Sequence, residues 1–208
     1  MTTTEEKQAF FNHLAASWDD MPRSKPMEAG IRNFVQCAYL SGAKNILDVG
    51  CGTGILVPYL FSAYPRTRLI VELDYAEEML ARNRAKYSDK RLVRIAGDAT
   101  NLLLPDESMD VILCFNTAPH LGRGEEAFRD LFRVLAPGGV LAVGHLRSSA
   151  EMNQFHGNLQ GAIQHDQLPP AKEMAEIFMK LGGSDVTAQE QPGWYFVRAK
   201  KPPEARQR

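Results

Sequence analysis

Asn45-Ile46-Leu47-Asp48-Val49-Gly50-Cys51-Gly52-Thr53-Gly54-Ile55-Leu56 decides the fold. Ile46, Leu47 and Val49 read as a short buried parallel strand, and the chain then meets a glycine-rich turn. Gly50, Gly52 and Gly54 let the backbone turn sharply and leave room for a ligand where a Cβ would collide. The apolar run after Gly54 predicts a helix whose first N–H groups face a polar ligand. A dinucleotide fingerprint reads G-x-G-x-x-G; here the third glycine comes one residue early. Asp48, at the strand end, would repel a pyrophosphate and suits a ligand that carries an ammonium group.

The next segments repeat the strand-then-helix rhythm. Arg68 to Asp74 reads as a second strand that ends on a carboxylate twenty residues past Gly54. Open α/β sheets bind ligands at such carboxyl ends, and an ionised acceptor there makes strong hydrogen bonds to a pair of hydroxyls. Glu72, two residues earlier on the same strand face, is a competing acceptor; Asp74 is preferred because it ends the strand. Leu92 to Ala96 gives a third strand, followed by Gly97-Asp98-Ala99, and Val111 to Phe115 a fourth. Leu135-Ala136-Pro137-Gly138-Gly139 turns into a fifth, apolar over Val140 to Val143. Two helices, residues 5–17 and about 26–40, precede the first strand and pack on the sheet from outside. Helices over 150–164 and 168–181 follow the fifth strand, and strands over 185–189 and 194–200 close the chain.

Taken together, D-V-G-C-G-T-G (48–54), L-D-Y-A-E-E-M-L (73–80), G-D-A (97–99) and L-A-P-G-G-V-L (135–141) resemble the motifs of class I S-adenosylmethionine-dependent methyltransferases, specifically the small-molecule enzymes of the Methyltransferase type 11 kind. The likeness runs through residues 45–143. It implies an α/β, Rossmann-like, doubly wound seven-stranded sheet with a C-terminal antiparallel hairpin and N-terminal cap helices. One structural domain is expected: cap helices over 1–40, the cofactor-binding domain over 41–200, and a polar disordered tail over 201–208.

The resemblance implies S-adenosyl-L-methionine as cofactor and S-adenosyl-L-homocysteine as product. It places Asp48, Gly50, Cys51, Gly52 and Gly54 around the cofactor, Asp74 and Tyr75 at the ribose, and Met79 beside the adenine. Asp98 and the Ala99 N–H meet the adenine ring, and Asn116 lies near the transferable methyl. Tyr75-Ala76 replace the family's usual aliphatic-Ser pair, which removes a Ser N-cap. Asn116-Thr117-Ala118-Pro119 is not the N-P-P-Y arrangement that holds a planar amino group, so a DNA or protein-amide acceptor is disfavoured.

His120, in a context similar to the family's H-H-L, reads either as a general base or as a helix-flanking histidine satisfied by backbone. His145 at the end of the fifth strand, Arg147, Asn153 and His156 read as a set converging on the acceptor pocket, with Asn153, His156 and Gln160 on one helix face. The segment Phe10 to Asp20 resembles the aromatic cap of small-molecule methyltransferases; Trp18 in it is either a cap anchor or a cover for the site. His156, His165 and Asp166 match no standard zinc spacing, so no metal is expected.

Bulk properties narrow the partners. The 208 residues carry a formal net charge of −1, with 44% hydrophobic and 24% charged residues. Nothing there marks a nucleic-acid or anionic-membrane surface. The first residues lack the basic and apolar regions of a signal peptide, and no apolar run approaches the ~20 residues that cross a bilayer. Cys37, Cys51 and Cys114 are unclustered and read as buried thiols in a reducing compartment. A cytoplasmic small-molecule methyltransferase is the expectation. An RNA or protein methyltransferase is the alternative, raised by the basic run Arg82, Arg84, Lys86, Lys90 and Arg91. A fold relative that uses another cofactor is a third reading.

Overall fold

A computed structural model describes residues 3–20, 22–121 and 124–203. Its sheet has seven strands: β1 (Asn45–Val49), β2 (Leu69–Asp74), β3 (Leu92–Ala96), β4 (Met109–Phe115), β5 (Leu135–His145), β6 (Ser184–Gln191) and β7 (Trp194–Lys200). They lie in the order β3-β2-β1-β4-β5-β7-β6. The first five are mutually parallel, and β7 runs antiparallel to both β5 and β6. The order reverses between β1 and β4, so their carboxyl ends open a crevice there.

Among the described residues, seven α-helices accompany the strands: α1 (Thr4–Leu14), α2 (Lys25–Cys37), α3 (Val57–Ala63), α4 (Glu77–Lys86), α5 (Gly124–Val134), α6 (Ser149–Gly157) and α7 (Ala171–Lys180). Alternate residues of β1 point to opposite faces. Leu47 and Val49 pack with Phe128, Leu131 and Phe178 of α5 and α7, whereas Ile46 packs with Ile31, Phe34 and Leu60 of α2 and α3. The α2 helix is therefore part of the layer covering one face of the sheet. A Cβ on Gly144 of β5 would lie 2.3 Å from the Phe34 ring, which shows how closely this helix seats. Of the two N-terminal helices expected as a cap, only α1 crosses the carboxyl edge of the sheet.

Three further expectations are corrected. The helix after the glycine turn starts at Val57, later than expected, because residues 52–56 form successive turns. Its first donors are already used: Val57 N–H bonds Gly54 O, and Tyr59 and Leu60 N–H both bond Leu56 O. These N–H groups at the start of α3 are therefore not free for a ligand. The α6 helix ends at Gly157, so Gln160 does not share its face with Asn153 and His156; its start is fixed by a capping box of Ser148 with Glu151. Cys37 is exposed, unlike the buried Cys51 and Cys114. Of the expected tail, Lys201 is tied to Gly138 and Gly139 by backbone bonds, and residues 204–208 lie outside those described. Among the described residues, no helix is long and apolar enough to cross a membrane.

Candidate active site

The carboxyl ends of β1 to β4 border a small, partly open cleft. Val49, Gly50, Leu73, Ala99 and Leu121 supply apolar lining; Asp74, Tyr75, Asp98, Thr117 and His120 supply polar groups. Thr4 and Lys7 of α1 complete it from above.

The glycine turn is held against β2. Gly50 N–H and Cys51 N–H both donate to Leu73 O, at 2.8 and 3.0 Å. Gly52 N–H donates to Asp74 Oδ2 at 2.8 Å, and Ala76 N–H to Asp74 Oδ1 at 2.8 Å. Gly50, Gly52 and Gly54 all have positive φ, at 65°, 54° and 85°, a region that only glycine enters without strain. A Cβ on Gly52 would meet nothing within 4 Å, so the turn borders open space there. Thr53 Oγ1 donates to Asp19 Oδ1, which ties the segment after α1 to the same turn.

Asp74 keeps unused lone pairs on both oxygens after accepting its two backbone bonds. Burial raises its pKa above the ordinary carboxylate value, although the N–H groups of Ala76 and Gly52 oppose that shift. Glu72 is excluded from the cleft. It lies beneath the turn, bound by Asn83 Nδ2 at 2.6 Å, and burial pushes its pKa up to about 7 against the Asn83 hydrogen bond and the Arg94 charge. Asp48 pairs with Glu72 in the strand register and is equally buried. Its pKa is raised by burial, then by the Glu72 and Asp74 charges, and it does not line the cleft. Asp98 lines the cleft while its Oδ1 accepts Thr100 N–H, an Asx-type turn. Tyr75 also lines it, and its buried hydroxyl has no partner among the described residues.

On the opposite wall stands a cluster that only three-dimensional structure assembles. His120 Nδ1 is 2.7 Å from Asp166 Oδ2, and Lys7 Nζ is 2.5 Å from Asp166 Oδ1. His156 Nδ1 bonds the Asp166 carbonyl at 2.8 Å, and its ring centroid is 5.0 Å from that of His120. The Phe11 ring of α1 packs edge-on against His120 at 5.1 Å. Burial works to raise the Asp166 pKa, but the hydrogen bonds and charges of His120 and Lys7 outweigh it and hold the carboxyl below its ordinary value.

The remaining expected residues are not in the cleft. His145 is fully buried, 5.7 Å from the Tyr195 ring, and burial with the neighbouring His120 and His156 pushes its pKa down to about 3. It is a neutral core imidazole, because the pleat turns it inward at the end of β5. Asn153 braces the chain at Leu168, donating to its carbonyl and accepting its N–H. Arg147 lies on the surface over the Phe155 ring, 4.3 Å away. Trp18 is 47% exposed and packs edge-on against Phe11. Met79 is buried with Ala15 and Ala76 beneath α1, and Asn116, at φ 55°, is exposed at the end of β4. Cys51 turns its thiol toward Asn83. Among the described residues, no group of histidine, cysteine and carboxylate side chains is arranged to hold a metal.

Sequence reasoning missed Lys7, Thr117 and the pairing of Asp166 with His120. One signal for Lys7 was present: it lies four residues before Phe11 and eight before Ala15, on the same helical face.

A methyltransferase-domain family matches residues 47–143. A probable S-adenosylmethionine-dependent methyltransferase of Mycolicibacterium smegmatis is 33% identical over 179 residues, covering 76% of this chain and 68% of its own length. The malonyl-[acyl-carrier protein] O-methyltransferase of Bacillus cereus is 31% identical, with coverages of 88% and 71%. The chain belongs to the class I S-adenosylmethionine-dependent methyltransferases. Its fold is also that of a Haloferax volcanii methyltransferase solved in complex with the Trm112 activator: the TM-score is 0.76 at 18% identity, covering 92% of this chain and 97% of that one. The enzyme uses S-adenosylmethionine, and the cleft suits it. Two carboxylates stand at neighbouring strand ends, the glycine turn borders open space, and the lining between them is apolar.

Proposed function

We propose that the enzyme methylates a small molecule bound beneath α1, at an acceptor atom that carries a proton until His120 removes it. The observation that carries this reading is the His120–Asp166 pair on the wall of the cleft. An ionised carboxylate accepts from Nδ1–H, which fixes the tautomer and leaves Nε2 as the basic nitrogen. Nε2 has no hydrogen-bond partner among the described residues. His120 lines the cleft with its orienting carboxylate buried behind it, an arrangement suited to a general base.

When bound, the cofactor supplies a methyl group on a sulfonium, already activated for transfer. The protein's contribution is to orient, to exclude water and to hold a proton. Asp74 is assigned to the ribose hydroxyls, and Asp98 with the Ala99 N–H to the adenine. The Gly50 to Gly54 turn takes the amino-acid end. A carboxylate or thiolate acceptor needs no base at neutral pH, whereas a hydroxyl does. Among oxygen and sulfur acceptors, the pair therefore favours a hydroxyl. The basic stretch around α4 offers less to RNA than its composition suggested: Lys86 pairs with Asp19, and Arg91 pairs with Asp89 over the Phe61 ring.

Radiolabelled methyl transfer from S-adenosylmethionine to a panel of phenols, alcohols, carboxylic acids and thiols tests this reading. Transfer to hydroxyl compounds is expected to dominate and to depend on His120. Transfer confined to carboxylic acids or thiols would overturn it.

A further inference from the structure

The most buried side chain of α1 is a cation. Lys7 is 8% exposed, and no other residue of this helix is buried. Lysine is almost never that buried unless it is paired, and its partner is Asp166, 159 positions away in sequence. The rest of α1 is held lightly. Gln8 Nε2 donates to Tyr75 O, Asn12 Oδ1 accepts Glu78 N–H, and Phe11 packs among Trp18, Tyr75 and His120. An eleven-residue helix with so few apolar anchors opens easily by itself.

Asp166 divides its two oxygens between this helix and the proposed base: Oδ1 takes Lys7 and Oδ2 takes His120. Its backbone stays fixed from the other side, because His156 bonds its carbonyl and Asn153 clamps Leu168. Only the carboxylate is left to respond to α1. The helix also covers the second member of the pair through Phe11. When α1 lifts, the carboxylate loses a cation, the imidazole loses its ring cover, and water reaches the bond between them.

We propose that Lys7 is a positioning residue: through Asp166 it makes closure of α1 over the cleft and ordering of the His120 imidazole a single event. Proton removal is thereby confined to the closed site. The proposal rests on the reading of His120 as the base, yet its physical core, the coupling of helix and imidazole, is measurable without any turnover.

The test is hydrogen exchange by NMR on the full chain. It compares the amides of α1 with the downfield Nδ1–H proton of His120, identified by its loss in His120→Gln. The expected result is that Lys7→Met speeds exchange of the α1 amides and of the Nδ1–H by the same factor, at least about tenfold, as for loss of a buried ionic partner in a locally opening segment. Lys7→Arg, which retains the charge, should keep both near wild type. Asp19→Asn, which loosens the chain after α1 without touching Asp166, should change the two exchange rates by the same factor or leave both unchanged. Faster α1 exchange with an unchanged Nδ1–H in Lys7→Met would overturn the coupling. So would no change in either, or no such proton in the wild type. If His120→Gln still turns over hydroxyl acceptors normally, the base assignment fails while the exchange result stands on its own.

Discussion

Gly50 and Thr117 meet where β1 and β4 end: a Cβ on Gly50 would lie 2.0 Å from Thr117 Oγ1 and 2.6 Å from Thr117 Cβ. Gly50 also has φ 65°. Gly50→Ala is expected to lower stability by about 1–3 kcal/mol, from the left-handed backbone together with the displaced threonine. Thr117→Ala should restore only part of this, since the Thr117 Cβ remains in the way. Urea unfolding of the single and double variants checks it. Full recovery in the double variant would show that the backbone conformation costs nothing.

Asp74 and Glu72 separate two accounts of the cofactor site. Asp74 lines the cleft and Glu72 does not. Asp74→Ala is expected to weaken S-adenosylmethionine binding by about 1.5–3 kcal/mol, the scale of hydrogen bonds to a charged acceptor. Glu72→Gln should leave affinity nearly unchanged. Calorimetry on folded variants decides, and the reverse pattern would move the ribose contact to Glu72.

Glu72 should also be visible in the pH dependence of stability. Its folded pKa, about 7, lies above the ordinary glutamate value of 4.5. The folded state therefore binds that proton more tightly than the unfolded chain. The contribution is fully present below about pH 4.5 and is lost as the pH rises toward 7. The size is on the order of 3 kcal/mol, from about 1.4 kcal/mol per pKa unit. Melting temperatures of wild type and Glu72→Gln across pH 4–8 should show a smaller decline in the variant. Parallel curves would contradict the buried, protonated glutamate.

Asn153→Ala should act on structure before chemistry. Its two bonds to Leu168 hold the segment that carries Asp166. A loss of about 1–3 kcal/mol in stability is expected from removing a partly buried hydrogen-bonding group. The acceptor KM should hold. A raised KM at unchanged stability would return Asn153 to the acceptor pocket.

The half of the cleft proposed for the cofactor was legible in sequence because its parts are local. The turn at Gly50 to Gly54 and the strand-end carboxylates Asp74 and Asp98 are fixed by spacings within single strand–turn–helix units. In the half proposed for the acceptor only His120 was legible, because Lys7 and Asp166 come from distant segments whose contacts with it depend on where α1 and the 158–168 segment settle. His145 read as a strand-edge histidine facing the acceptor, and His120 as either a base or a helix-flanking histidine. Strand pleat buried the former in the core, and a 3₁₀ turn at Ala118–His120 brought the latter to the cleft. The α2 helix was assigned to the cap because it precedes β1, although the helical spacing of Ile31, Phe34 and Val35 already marked a face able to join the main core.

The most direct test of His120 as the base is the single-turnover rate of methyl transfer to a hydroxyl acceptor in His120→Gln, at saturating S-adenosylmethionine. A lost general base lowers such rates by about 10²–10⁴-fold, and a fall of that size is expected. A rate within a few-fold of wild type would contradict the account.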